Sequence, residues 1–177
     1  MSPAAIAFRH LDVAADLELV HGWMQQPHVV AWWELGGPVE VVRDFLRAQA
    51  ALAHLDQWIV TDDERNPFAY VETYRVPEDP LGELYEAQPG DRGFHLLVGP
   101  PELLGSGLAQ VLVGHLVTRL LEQFGISRIV CEPDARNTRM LALCRALGGE
   151  ELARLELADR TRVLLGWTRA PRTAAAA

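Results

Sequence analysis

Gly93-Phe94-His95-Leu96-Leu97-Val98-Gly99, closed by Pro100-Pro101 and followed by Leu104-Gly105-Ser106-Gly107-Leu108-Ala109, is the stretch whose reading decides the fold. Its apolar alternation is imperfect, as expected of a strand covered on both faces, and the two prolines end it. From Leu108, apolar residues recur at Val111, Leu112, Leu116, Leu120 and Phe124, the spacing of an amphipathic helix, with Gly125 as its stop. Glycines just before a helix let backbone N–H groups approach an anion, and the helix terminus adds about +0.5 elementary charge. Such a corner suits a phosphate, although the same Gly-x-Gly pair can serve as turn chemistry alone. No third glycine completes a dinucleotide fingerprint, and a P-loop needs a lysine, which this chain lacks altogether.

Downstream, Ser127 to Cys131 reads as a second buried strand and Asn137 as the cap of a helix running through Leu147, ended by Gly148-Gly149. Glu151 to Leu157 and Thr161 to Trp167 form a closing hairpin that turns near Asp159. Upstream, Ala4 to His10 is a first strand, and Ala14 to Gln26 is a helix that Asp12 can cap. Pro27 to Glu34, with the adjacent Trp32 and Trp33, is a loop or short helix ending at Gly36-Gly37. Tandem tryptophans act as packing anchors or, on the sharper reading, as a wall of a substrate tunnel. Pro38 to Leu55 is a further helix carrying Val41, Val42, Phe45 and Leu46.

Gln57 to Thr61 and Pro67 to Arg75 read as a hairpin. Strand alternation puts Tyr70, Glu72 and Tyr74 on one face, where a carboxylate between two phenols makes either an amine-binding comb or a solvated strand face. Val76 to Arg92, with its prolines, glycines and five acids, is a loop or a set of short helical turns. It is a solvated acidic loop, or, if it overhangs a cleft, a lure for an ammonium group.

With 177 residues, 49% of them apolar and 23% charged, the chain has material for one core. We expect a single domain over residues 1–169 and a loose tail over 170–177. A formal charge of −8 and a pI near 5.2 argue against nucleic acid or anionic membrane as partners and favour small cationic molecules. No apolar run is long enough to span a bilayer, and Met1 to His10 lacks the regions of a signal peptide, so the cytoplasm is the expected location. Two cysteines, Cys131 and Cys144, match no disulfide framework or zinc pattern, and the six histidines contain no His-x-x-x-His pair, so no metal is expected.

The order strand, two helices, hairpin, strand, glycine corner, helix, strand, helix, hairpin resembles the GNAT family of acyl-CoA N-acyltransferases. The motifs that carry the resemblance are Leu104-Gly105-Ser106-Gly107-Leu108-Ala109 and Cys131-Glu132-Pro133-Asp134-Ala135-Arg136-Asn137. It implies an α/β fold whose central mixed, twisted sheet is splayed at its middle and flanked by about four helices. The chain departs from the family at Glu102, where the glycine loop usually opens with Arg or Gln. It departs again at Cys144, where many members carry a tyrosine that protonates the leaving thiolate.

Trp23-Met24, Pro27-His28-Val29, Trp33, Tyr70-Val71-Glu72-Thr73-Tyr74, Gly93-Phe94-His95 and Glu132 to Asn137 resemble a narrower branch. These are the acyltransferases of hydroxamate siderophore biosynthesis of the aerobactin, desferrioxamine and mycobactin type. The same features are shared less closely with aminoglycoside 6'-N-acetyltransferases.

The resemblance implies acetyl-CoA or succinyl-CoA as co-substrate and an N-hydroxycadaverine-like or N6-hydroxylysine-like acceptor. It implies His95 and Asp134 as the catalytic groups, the carboxylate orienting the ring. It assigns backbone N–H groups near Leu97 and Val98, the Leu104 to Ala109 corner and Asn137 to acyl-CoA. His28, Trp32, Trp33, Tyr70, Glu72 and Tyr74 fall to the acceptor, with Glu72 and the acidic loop holding its remote ammonium. Other amine acceptors, such as polyamines, and a non-catalytic acyl-CoA-binding role are the rival expectations. Either a monomer or a homodimer is compatible with the sequence.

Overall fold

A computed structural model describes residues 6–123 and 126–168. The expected start of the first strand at Ala4 and Ala5, the helix end at Phe124 with its stop Gly125, and the tail from Arg169 lie outside the described residues. The elements run β1 (Ala7–His10), α1 (Val13–Met24), α2 (Pro27–Trp33), α3 (Val39–Ala50), β2 (Leu55–Thr61), β3 (Pro67–Arg75), β4 (Asp91–Val98), α4 (Leu108–Gln123), β5 (Arg128–Cys131), α5 (Thr138–Ala146), β6 (Glu150–Glu156) and β7 (Thr161–Thr168). The expected α/β mixed sheet is present, with α2 as a helix in its own right rather than a loop.

Local chemistry explains most boundaries. Asp12 accepts hydrogen bonds from the Ala14 and Ala15 N–H groups and so caps α1. Pro27 begins α2, and Glu34 closes it in the left-handed region at φ 57°. Helix α3 stops at Ala50 rather than reaching Leu55, because Leu55 pairs with Tyr74 as the first residue of β2. Asn137 caps α5 through the Met140 N–H at 3.2 Å. The 76–92 segment holds two short 3-10 turns, Val76–Glu78 and Pro80–Glu83.

The seven strands form one sheet in the order β1-β2-β3-β4-β5-β7-β6, antiparallel except for β4 with β5. That parallel pair is short. Asp91, Arg92 and Gly93 pair with Arg128, Ile129 and Val130, after which β4 runs on from Phe94 to Val98 without β5 beside it. The sheet is therefore splayed at its middle, as expected.

Helices α1, α2 and α3 cover one face, burying Val20, Met24, Val29 and Leu46 against Ile59, Tyr70 and Leu97. Helices α4 and α5 cover the other, burying Leu112, Leu116 and Leu141 against Val60, Val71, Phe94 and Ile129. Among the described residues no helix is long and apolar enough to cross a membrane.

Candidate active site

The splay opens a cleft of about 940 Å³. Its walls are Trp32 and Trp33 of α2, the β4 edge from Phe94 to Val98, the glycine corner, the turn from Cys131 to Asn137, and Arg160 and Arg162 of the last hairpin. Of the residues expected at the site, His28, Trp32, Trp33, His95, Leu97, Val98, Leu104, Gly105, Gly107, Ala109, Asp134 and Asn137 line it. Ser106 and Leu108 do not. The Ser106 hydroxyl donates to the Leu103 carbonyl at 2.6 Å and accepts from the Leu108 N–H, while the Leu108 side chain packs on the α4/α5 core.

Gly105 and Gly107 hold φ of +79° and +87°, and a Cβ at either would meet nothing within 4 Å. Open space beside two left-handed glycines is a cradle for a group approaching the main chain. The Gly107 carbonyl accepts from the Gln110 and Val111 N–H groups, so the turn leads directly into α4.

The β4 edge adds main-chain donors. The Gly99 N–H bonds the Phe68 carbonyl at 2.8 Å. Alternation along an antiparallel strand then aims the N–H groups of Leu97 and His95 at β3 and those of Leu96 and Val98 at the open side. Of the expected pair, Val98 thus faces the gap, and Leu96 takes the place assigned to Leu97. His28 secures this edge: its Nε2 lies 2.9 Å from the Val98 carbonyl, which can only accept, so Nε2 carries the proton.

His95 stands beside the gap at the centre of a network that crosses the sheet. Gln57, Glu72 and His95 are direct cross-strand partners on β2, β3 and β4. Gln57 Nε2 donates to the Tyr70 hydroxyl at 2.7 Å, and that hydroxyl donates to Glu72 Oε1 at 2.7 Å. Glu72 Oε2 lies 3.0 Å from His95 Nδ1, and Glu132 Oε1 lies 2.9 Å from His95 Nε2. The Tyr74 hydroxyl donates to Glu132 Oε2 at 3.1 Å, and Arg162 Nη1 donates to Glu132 Oε1 at 3.2 Å. A ring clasped by carboxylates at both nitrogens is held as an imidazolium. Burial pulls its pKa down, but the Glu132 charge and the bonds to Glu132 and Glu72 outweigh that and set it at about 10. The side chain stays 39% exposed, so the ring remains reachable from the cleft.

Three expectations are corrected here. Tyr70, Glu72 and Tyr74 are 0%, 2% and 1% exposed, neither a solvated face nor a comb open to an amine. They lie behind His95, and Glu72 is spent on the ring. The acidic loop does not overhang the cleft: none of residues 76–92 lines it. Three of its five carboxylates are engaged elsewhere, Glu78 with Arg75, Asp79 with His54, and Asp91 with Arg128. Nor does Asp134 orient the His95 ring. Arg136 takes both its oxygens, at 2.9 and 2.6 Å, and holds its pKa down at about 2. Sequence reasoning passed over Glu132, although it belongs to the quoted motif, and over Arg162.

Trp33 packs on the core and lines the cleft at once. It packs edge-on against Phe45 and Tyr70 at centroid distances of 6.2 and 5.6 Å, and it also faces His95 at 6.2 Å. Cys144 is buried, with its sulfur 3.8 Å from that of Cys131, and does not line the cleft.

The splayed sheet, the glycine cradle and a proton-carrying ring beside open main-chain donors define a group-transfer enzyme for an activated acyl donor. A GNAT acetyltransferase domain matches residues 12–157, so the chain belongs to the GNAT acetyltransferases. A relative named lysine N-acyltransferase MbtK, from Mycobacterium sp. (strain MCS), is 30% identical over 166 residues, covering 93% of this chain and 68% of the relative. The N(6)-hydroxylysine O-acetyltransferase of Escherichia coli is 36% identical over 76% of this chain, which spans 43% of that protein's length. A solved structure of the aminoglycoside acetyltransferase AAC(6')-Ib with paromomycin and acetyl-CoA superposes with a TM-score of 0.83 at 25% identity, covering 98% of this chain and 99% of that one.

Proposed function

We propose that the chain transfers an acyl group from acyl-CoA to the hydroxylamine or amine nitrogen at the end of a lysine-like or diamine acceptor, as in hydroxamate siderophore biosynthesis. The observation that carries this is the meeting of the glycine cradle, the open β4 edge and His95 in one cleft. Relatives named for lysine and N6-hydroxylysine acylation support the acceptor class.

The residues fit acyl-CoA, which supplies the activated acyl group. In a chain of net charge −8, this cleft is lined by Arg136, Arg139, Arg160 and Arg162 against only Glu132 and Asp134 as carboxylates, a balance suited to phosphates. The main chain at Gly105 and Gly107 receives the diphosphate, and the N–H groups of Leu96 and Val98 face the thioester oxygen, where negative charge develops. Acetyl-CoA and succinyl-CoA are the donors proposed.

A hydroxylamine is less basic than an alkylamine and is largely neutral at pH 7, so it attacks without prior deprotonation. Its proton must leave as the bond to carbon forms. His95 is the group that handles that proton: in the fraction of molecules whose ring has given up a proton it takes the one from nitrogen, and the two carboxylates stabilise the charged form that results. Trp32 and Trp33 wall the acceptor side.

The test is an acceptor panel with acetyl-CoA and succinyl-CoA, followed by release of free thiol. Preference for N6-hydroxylysine or N-hydroxycadaverine is expected. Preference for an aminoglycoside or spermidine would overturn the acceptor class, and CoA binding with no transfer to any amine would overturn the enzyme reading.

A further inference from the structure

The Glu132 carboxylate is shared. Its Oε1 lies 2.9 Å from His95 Nε2 and 3.2 Å from Arg162 Nη1, while its Oε2 takes the Tyr74 hydroxyl at 3.1 Å. These partners come from β4, β7 and β3, and the Glu132 side chain is only 4% exposed. We propose that Glu132 is a positioning residue that sets the protonation state of His95, and that Arg162, by competing for the same oxygen, moderates its hold. The inference rests on the reading that His95 handles the acceptor proton.

The groups facing the ring are few. Glu72 and Tyr74 reach it from β3, the Tyr74 hydroxyl at 3.3 Å from Nε2, and Glu132 from the segment after β5. Trp33 faces it from α2 without a charge. Arg162 acts on it through Glu132, and Tyr70 through Glu72. Each carboxylate takes a neutral phenol on its other oxygen, Tyr70 on Glu72 and Tyr74 on Glu132, but Glu132 also takes a cation on the oxygen that faces the ring. Glu132 is therefore the carboxylate whose pull on the ring a charge change can tune in either direction.

It also occupies Nε2. A ring clasped at both nitrogens as an imidazolium has no lone pair to offer, so His95 accepts the acceptor proton only after it has given up one of its own, to a clasping carboxylate or to solvent at its exposed edge. Arg162 and Tyr74 keep Glu132 satisfied when it releases Nε2. No comparable cation waits beside Glu72 among the hydrogen bonds and ion pairs of the described residues.

The experiment measures two things on Glu132→Gln and Arg162→Leu: the titration of the His95 ring by isotope-edited NMR, and the pH profile of kcat/KM. Removing a carboxylate at this range should lower the ring's titration point by about one to three pH units. The acidic limb of kcat/KM should move down with it. Arg162→Leu should move both upward, because it strips the competing cation from Glu132. A ring titration unmoved in Glu132→Gln, or moved in the same direction by both variants, overturns this inference. If the ring titration moves as expected while the acidic limb stays fixed, His95 does not handle the acceptor proton and the functional reading is what fails. Arg162 is more exposed than Glu132, so its variant still tests the sign if Glu132→Gln does not fold.

Discussion

The Tyr74 ring lies across Gly93, its register partner on the neighbouring strand, so closely that a Cβ on Gly93 would stand 2.2 Å from two of the ring carbons. This glycine is what lets Tyr74 lean over β4 and reach both Glu132 and His95. Gly93→Ala should therefore push the phenol aside, at a cost of about 1–3 kcal/mol for overpacking. A thermal melt checks the cost. Loss of activity larger than that of Tyr74→Phe would show that the displaced ring disturbs His95 as well.

His95→Ala should lower turnover by roughly 10²- to 10⁴-fold, with little change in the affinity for CoA, because the proposed diphosphate contacts are main-chain groups of the glycine corner and not the ring. Steady-state kinetics with a CoA-binding isotherm separates the two effects. Turnover near that of the unaltered protein would remove His95 from the chemistry. Asp134→Asn, by contrast, should leave the His95 titration in place, since its carboxylate is bound by Arg136.

The raised pKa of His95 carries a sign for stability. The folded value of about 10 exceeds the ordinary value of 6.5, so the clamp stabilises the fold fully below pH 6.5. That contribution declines as pH rises from 6.5 towards 10. Urea melts at pH 6, 8 and 10 should show the decline, and Glu132→Gln should flatten it.

Asp91 binds Arg128 through both oxygens, at 2.9 and 2.5 Å, and accepts from the Tyr85 hydroxyl and the Gln88 N–H, with its side chain fully buried. It fastens the 76–90 segment to the parallel pair of β4 and β5. Asp91→Ala leaves Arg128 without its partner and should cost about 3–5 kcal/mol, read by denaturant unfolding.

Gly107 at φ +87° has room for a side chain but not the backbone freedom. Gly107→Ala should cost about 1–2 kcal/mol in strain and raise the KM for acyl-CoA more than it lowers kcat. Equal effects on binding and turnover would argue against a cradle role.

The strands, the glycine corner and most helices were legible because periodicity and capping are local. The limit shows at Tyr70, Glu72 and Tyr74. Alternation placed them correctly on one face, but only tertiary packing decides that Trp33 covers Tyr70 and that Tyr74 is buried in a cluster with Val76 and Leu81. The same holds for α3: residues 51–55 continue a helix-compatible pattern, yet Leu55 is drawn into the sheet opposite Tyr74. At the site, Glu132 and Asp134 stand two residues apart in one motif. Which of them reaches His95 depends on how the chain leaves β5 and on Arg136 capturing Asp134, and neither is encoded in spacing. Arg162 joins through a strand that follows nearly thirty residues later, pairing with β5 and bridging Asp134, a long-range contact that local sequence does not announce.

The parting of β4 from β5 leaves a ladder unfinished, with main-chain groups beyond Gly93 that a continuous sheet would have paired. A molecule that seats itself in the fork repairs that defect, so occupancy and resistance to heat become one quantity. At a concentration one hundred times its dissociation constant, such a ligand adds about 2.7 kcal/mol to the fold, and the melting temperature climbs with the logarithm of the dose.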